Sequence, residues 1–274
     1  MLTPSIHSLH IYPIKSCGSI ALQEVSLDEF GFENDRRWLL LDEHGTFITQ
    51  RECAALALVR TSIDDEFLHI EYDSVGKVSI PLMKEYDTVT TTSVWASPPL
   101  AVGDEGEHAA EFFREIIGSP TRLVRRAGAY RRDINSGNLV GQGHQVNFSD
   151  SHPILVASIA SMEDLNVHIG DTLNVDRFRA NIIINNVLHP FDEDRWREID
   201  IHGNRLLFGK LCARCVMTTI NQQTGEVGKE PLATMATFRR GEGGKVLFGA
   251  YFVNVRKEGT LRVGDSITIV EREG

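Results

Sequence analysis

The chain has 274 residues, 42% of them hydrophobic and 24% charged, enough for one large or two ordinary domains and too apolar for a disordered polymer. A formal net charge of −10 excludes the excess of Lys and Arg that a nucleic-acid surface needs, and no run approaches the length of a membrane span. Four cysteines in no even framework, and an N-terminal stretch without a basic region leading into an apolar core, point to a cytoplasmic protein with free thiols.

In chain order, the first third reads as short strands and tight turns. An alternating strand ends at Pro13 and leads into Lys15-Ser16-Cys17-Gly18, whose Lys and hydroxyl beside a glycine form a small anion seat or a purely structural loop. Asp35-Arg36-Arg37-Trp38 is read as extended, so that one arginine points inward and the other to solvent. Trp38–Leu41 and Thr46–Thr49 flank Asp42-Glu43-His44-Gly45 as a hairpin, and a second hairpin turns at Asp64-Asp65-Glu66. A helix is predicted over His108–Ile117, with Asp104 available to cap it and Gly118-Ser119-Pro120 to stop it.

A domain boundary is placed there, giving units 1–120 and 121–274. Arg122, Arg125, Arg126, Arg131 and Arg132 follow as a basic island, either an ion-paired edge strand or a docking surface for a small anion or an acidic protein. Residues 127–145 read as a long loop. A helix is predicted over Ser161–His168 with Ser161 and Asp164 at capping-box spacing, then a buried strand at Asn181–Ile184 and a hairpin about His202-Gly203-Asn204. Val216–Val227 is read as another hairpin, Glu230–Phe238 as a short helix, and Leu247–Val270 as two or three closing strands. Many short strands with few helices define a mainly β fold of the α+β class, a barrel or sandwich; without alternating βα units, a doubly wound nucleotide-binding sheet is not expected.

The phosphate-loop, dinucleotide, nucleophile-elbow and zincin motifs are all missing. Ser149-Asp150-Ser151-His152 places hydroxyls, a carboxylate and an imidazole side by side, but neighbours on a strand face opposite ways and form no triad. The densest chemistry is Cys212-Ala213-Arg214-Cys215, followed by the β-branched run Val216–Ile220, which reads as a strand. No helix opens at the motif and no second ligand pair follows it, so neither a thioredoxin-like site nor structural zinc fits. What remains is bland packing or a thiolate beside a fixed cation, the latter a ligand suited to a soft or high-valent metal. Arg36 or Arg37, Lys15 and Arg179 look like inward cations without an obvious acidic partner, which suggests a bound anion.

Pro13-Ile14-Lys15-Ser16, Asp35-Arg36-Arg37-Trp38, Phe148-Ser149-Asp150, Phe178-Arg179-Ala180-Asn181 and Cys212-Ala213-Arg214-Cys215-Val216-Met217-Thr218-Thr219 occur in the order found in MOSC-domain proteins. Leu247-Phe248-Gly249 through Val263-Gly264-Asp265 resembles that family's C-terminal end. The resemblance covers nearly the whole chain and implies a strand-rich N-terminal MOSC β-barrel domain (1–120) followed by a MOSC β-barrel domain with a few helices (121–274), the arrangement of the amidoxime-reducing components and their bacterial relatives.

It further implies a molybdenum cofactor (Mo-molybdopterin) with Cys215 as metal ligand and Asp150 beside the metal to orient substrate or relay protons. Lys15, Ser16, Arg36 and Arg179 would contact the pterin and its phosphate, and Ser151, Ala213 and Arg214 would line the site. The implied reaction is two-electron reduction of a small N-hydroxylated compound, with electrons from a separate ferredoxin-, flavodoxin- or cytochrome-type protein, for which the arginine island is a candidate docking site. The rival implication is a non-redox carrier of the cofactor or of sulfur. Ala180 stands where relatives often have Pro, and Ala213 where they often have Ser.

Overall fold

The computed structural model describes residues 3–128 and 130–273. The chain begins with β1 (Ser5–Ile11), β2 (Ile20–Leu22), β3 (Glu24–Asp28), β4 (Gly31–Phe32) and β5 (Trp38–Asp42). There follow β6 (Arg60–Ile63), β7 (Phe67–Tyr72), β8 (Gly76–Pro81), β9 (Thr90–Thr92), β10 (Leu100–Asp104), α1 (Glu107–Ile117) and β11 (Thr121–Arg126). Beyond the long loop lie β12 (Ile154–Ser158), α2 (Ile159–Ile169), β13 (Ile182–Asn185), β14 (Trp196–Ile201) and β15 (Asn204–Ala213). The chain closes with α3 (Leu232–Phe238), β16 (Leu247–Asn254), β17 (Thr260–Arg262) and β18 (Thr268–Arg272).

The mainly β expectation holds. An eight-stranded sheet runs β18-β14-β15-β16-β12-β13-β1-β2, and smaller sheets run β5-β11-β10-β9, β6-β7-β8 and β17-β3-β4. Strand pairing crosses between the two halves of the sequence: β1 and β2 complete the large sheet, whereas β11, just past residue 120, pairs with β5 and β10. A register shift between Ile6 and Ser8 lets Ile6, Leu9 and Ile11 all face inward, onto Val156, Ile182, Trp196 and Phe252. In β5 both faces are buried, Trp38 and Leu40 in one core and Leu39 and Leu41 in another. Among the described residues no helix is long and apolar enough to cross a membrane.

Several local expectations are corrected. Val216–Thr219 is a 3-10 turn, not a strand, because Thr218 Oγ1 donates to Cys215 O (3.0 Å) and Thr219 Oγ1 to Val216 O (2.8 Å). Such local bonds divert β-branched residues from a ladder. The Val216–Val227 hairpin accordingly shrinks to a turn closed by one Ile220–Val227 bridge. Helix α2 starts at Ile159 and is capped by Ser158, whose hydroxyl accepts the Ser161 N–H at 3.1 Å; Ser161 instead donates to the buried Glu193 carboxylate at 2.6 Å. Asp104 does not cap α1 but accepts from Gly106 N–H and from Arg122. One parallel β-α-β unit is present, β12–α2–β13.

The arginine island resolves into intrachain pairs. Arg122 binds Asp104 and Glu107, Arg131 binds Asp133, and Arg126 lies 3.8 Å from Asp28. Arg125, 1% exposed, pairs with Glu105 at 2.9 Å beneath Trp38, and Arg132 is buried with its guanidinium on the carbonyls of Asn147 and Ser149. Arg125 and Arg132 are thus enclosed in the fold, whereas Arg122 and Arg131 make their ion pairs at the surface.

Gly249 sits in a bulge of β16, where Phe248 and Gly249 oppose the single Cys212 on β15, with φ of +77°. A Cβ there would lie 2.7 Å from Val156 O. Gly249→Ala is expected to lower unfolding free energy by roughly 1–3 kcal/mol through backbone strain, read from urea denaturation; a change below about 0.5 kcal/mol, the range of ordinary surface substitutions, would remove the bulge from this account.

Candidate active site

The β1–β13 register delivers the segment after β1 to the segment before β13. His10 N–H donates to Asn181 O (2.9 Å), and Asn181 Nδ2 returns to His10 O (3.1 Å). Lys15 N–H bonds Trp38 O, and Ser16 takes a left-handed backbone (φ 74°) that turns the chain beneath the cavity. Lys15, 6% exposed, extends its ammonium to Phe148 O (2.8 Å) and Asp150 Oδ1 (2.5 Å).

Arg36 also points inward, but through a turn with φ 46° and not through strand alternation. Its guanidinium contacts Asp35 (2.5 Å), Asn181 Oδ1 (3.0 Å) and Arg179 O (2.9 Å). Arg179, also left-handed (φ 53°), ends the 3-10 turn Val175–Phe178. Both guanidinium carbons lie 4.3 Å from the Tyr12 ring centroid. The expectation of three unpaired inward cations is therefore corrected: Asp35 serves Arg36 and Asp150 serves Lys15. Arg179 has no carboxylate partner among the described residues and makes only a 3.5 Å contact to Gln222. Its burial lowers its pKa to about 10.

At the other wall, β15 ends on Cys212 and Ala213. Arg214 then contacts Cys212 Sγ (2.8 Å) and Phe178 O (2.8 Å). Cys215 follows in extended conformation before the 3-10 turn, its Sγ 3.2 Å from Arg51 Nη2. Lys15, Ser16, Arg36, Asp150, Arg179, Ala213, Arg214 and Cys215 thus surround one cavity of about 80 Å³, joined by Cys212, Asn181 and Tyr251. Ser151 does not line it: its hydroxyl turns to Ser136 (3.0 Å) and His152 Nδ1 (2.8 Å). Arg179 also lines a neighbouring groove of about 690 Å³ with Tyr12, Gly18 and Gln222.

The electrostatics are set by burial and pairing. Burial alone would push the Asp150 carboxyl up, but the Lys15 ammonium, with Arg51 and the Trp95 N–H, holds it below the usual carboxylate range. Burial lowers Lys15, partly opposed by Asp150. Cys17 lies outside this pattern; enclosed in apolar packing, its thiol is pushed up to about 12.

Among the described residues, three buried polar atoms of the cavity lining lack a partner: Ser16 Oγ, His152 Nε2 and Arg214 Nε. With the unpaired Arg179 and the thiol of Cys215, they leave donors for an anionic group and a soft ligand for a metal, which fits a phosphorylated, metal-bearing cofactor. Sequence reasoning missed Arg51, Trp95 and Asn181 as site residues. Asn181 lay inside a quoted motif, whereas Arg51 and Trp95 carry no local pattern and arrive only through tertiary packing.

Residues 3–120 match the MOSC N-terminal beta barrel domain and residues 143–268 the MOSC domain. The chain belongs to the MOSC-domain family. It is 30% identical over 287 residues to "Mitochondrial amidoxime-reducing component 1" of Xenopus laevis, covering 98% of this chain and 83% of that protein. The Homo sapiens protein of the same name is 30% identical over 285 residues, covering 97% and 83%. A "Molybdenum cofactor sulfurase" of Drosophila ananassae is 32% identical over 281 residues, 98% of this chain but 34% of the sulfurase.

Asp150 is ionised in the fold below the range where it protonates in the unfolded chain, about pH 3.9. Its pairing with Lys15 therefore contributes stability that is full above that value and is lost as pH falls toward the depressed folded pKa. In Lys15→Met, only Arg51 and the Trp95 N–H are left to oppose the burial that pushes the carboxyl up. The stability gap between wild type and Lys15→Met, from urea melts, should be larger at pH 7 than at pH 3; a gap independent of pH would show that the pair does not set this carboxyl.

Proposed function

We propose that this chain is a molybdenum-cofactor-dependent reductase of N-hydroxylated compounds: hydroxylamines, amidoximes or N-hydroxylated bases. The observation that carries the reading is the placement of the Cys215 thiol and the Asp150 carboxylate on one cavity ringed by Lys15, Arg36, Arg179 and Arg214. Relatives named as amidoxime-reducing components support it.

In this reading Cys215 supplies the protein's one ligand to the metal. Arg179 and the unpartnered Ser16 Oγ and Arg214 Nε take the cofactor's anionic end, each charge-assisted bond contributing about 1.5–3 kcal/mol. Arg36, already satisfied by Asp35, holds the Arg179 carbonyl and thereby the turn. Ala213 keeps the wall beside the thiol small, and Ser151 supports the loop that carries Asp150. The cofactor, when bound, supplies the two-electron reduction; the balance is R–NHOH plus two electrons and two protons to R–NH2 and water. Asp150, held ionised, accepts from the N-hydroxy group and orients it, and the Lys15 ammonium bonded to that carboxylate is the proton source along the relay. The electrons come from a separate ferredoxin-, flavodoxin- or cytochrome-type protein.

The identity to the sulfurase favours one second reading, a non-redox carrier that holds the cofactor or a persulfide on Cys215. Elemental mass spectrometry of protein purified under low oxygen from a cofactor-synthesising host separates the two, together with reduction of benzamidoxime by chemically supplied electrons. The reductase reading expects about one molybdenum per chain, and Cys215→Ala with turnover lowered at least a hundredfold while Cys212→Ala stays within about tenfold. Metal without turnover, or transferable sulfur on the isolated thiol, moves the assignment to the carrier; unchanged turnover in Cys215→Ala removes the thiolate–metal mechanism.

A further inference from the structure

Trp95 is 52% exposed, whereas the other two tryptophans, Trp38 and Trp196, are fully buried. Its backbone is left-handed (φ 55°), an arrangement disfavoured for a bulky residue and found where surroundings over-determine it. Here they do. Val94 N–H bonds Ser97 Oγ (3.0 Å), Ser97 N–H bonds Val94 O (3.1 Å), and the indole Nε1 donates to Asp150 Oδ1 (3.1 Å). The ring packs edge-on to Phe47 with centroids 5.1 Å apart, and the Arg51 guanidinium lies 5.0 Å from the indole. Arg51 is the same side chain that touches the Cys215 thiol.

Trp95 and Phe47 also form one wall of a groove of about 380 Å³, completed by Thr46, Thr92 and Pro99. That volume is within the usual range for small-molecule sites, and the lining sets two aromatic rings beside the hydroxyls of Thr46, Thr91, Thr92 and Ser93. Asp150, which lines the cavity, is joined to the wall of this groove through Trp95, since one of its oxygens accepts from both Lys15 and the indole Nε1.

Resting on the reductase reading, we infer that the Trp95–Phe47 groove is the subsite for the body of the substrate, and that it selects planar aromatic N-hydroxy compounds over aliphatic ones. The aromatic ring stacks on the open indole face while the N-hydroxy end reaches Asp150 and the thiol. Stacking is indifferent to ring substituents, so the groove sorts by π-surface and not by a hydrogen-bond code.

The test compares benzamidoxime with acetamidoxime on the loaded enzyme, and benzamidine with acetamidine by tryptophan fluorescence on the protein without cofactor. The ratio of kcat/KM for benzamidoxime over acetamidoxime should fall about tenfold in Trp95→Ala, through KM, and return to near wild type in Trp95→Phe, which keeps a ring but loses the bond to Asp150. Benzamidine should quench wild-type fluorescence more than acetamidine does, and Trp95→Phe should abolish that difference because the remaining tryptophans are buried. An unchanged ratio in Trp95→Ala, or equal quenching by the two amidines, overturns the subsite. Absence of turnover with either amidoxime in wild type overturns the reductase reading instead, while the quenching still decides the groove.

Discussion

The antiparallel pairing of β1 with β13 is the constraint on which the rest of this structure depends. It threads the start of the chain into the centre of a sheet otherwise built from its second half, burying Ile6, Leu9 and Ile11 on both sides of a bulge. A backbone bond from His10 to Asn181 and a return bond from the Asn181 side chain then join the segments where the strands end. Because those ends coincide, Lys15 and Ser16 emerge opposite Arg179, and a cavity wall is assembled from residues more than 160 positions apart.

That cavity is an economy of buried charge. Two of its cations have dedicated carboxylates, one of which, Asp35, is almost fully enclosed; removing such a partner leaves an uncompensated charge at a cost of several kcal/mol. Arg179 and Arg214 are the exceptions among the described residues, the first held by the Tyr12 ring and backbone geometry and the second by the Cys212 thiol and the Phe178 carbonyl, neither by an acid. A fold that tolerates two cations of this kind beside others so carefully neutralised marks the place where an anion from outside completes the balance. Asp150 works in the opposite sense. Its carboxylate has one exposed side and is kept ionised by Lys15, so it faces the cavity mouth as an acceptor.

Elements whose signal is local were legible in the sequence. The turn glycine at Gly203 announced its hairpin, the turn at Gly45 is closed by a single Leu41–Phe47 bridge in place of a full second strand, and the spacing of Phe112, Phe113 and Ile116 announced α1 with Gly118 as its left-handed end. Five short motifs in family order were enough to bring Lys15, Arg36, Arg179, Arg214 and Cys215 to one site, although no single motif locates it. Features decided by long-range partners were not legible. Arg125 looked like surface charge because Glu105 is twenty positions away, just past the end of a neighbouring strand, and the run after Cys215 looked extended because nothing in β-propensity weighs a threonine hydroxyl returning to its own turn. Arg51 and Trp95 lie on connecting segments with no period at all, and only packing against Asp150 and Cys215 gives them a place.

The interleaving of the two halves has a kinetic side. Since β1 must close a loop of more than 160 residues to find β13, the large sheet is a structure of high contact order, and its central strand is among the slower pieces to settle. The cavity cannot exist before that event, so any group that binds there binds only the finished molecule. Such a group would then tie both halves of the polypeptide to one point and weight the balance toward the native state.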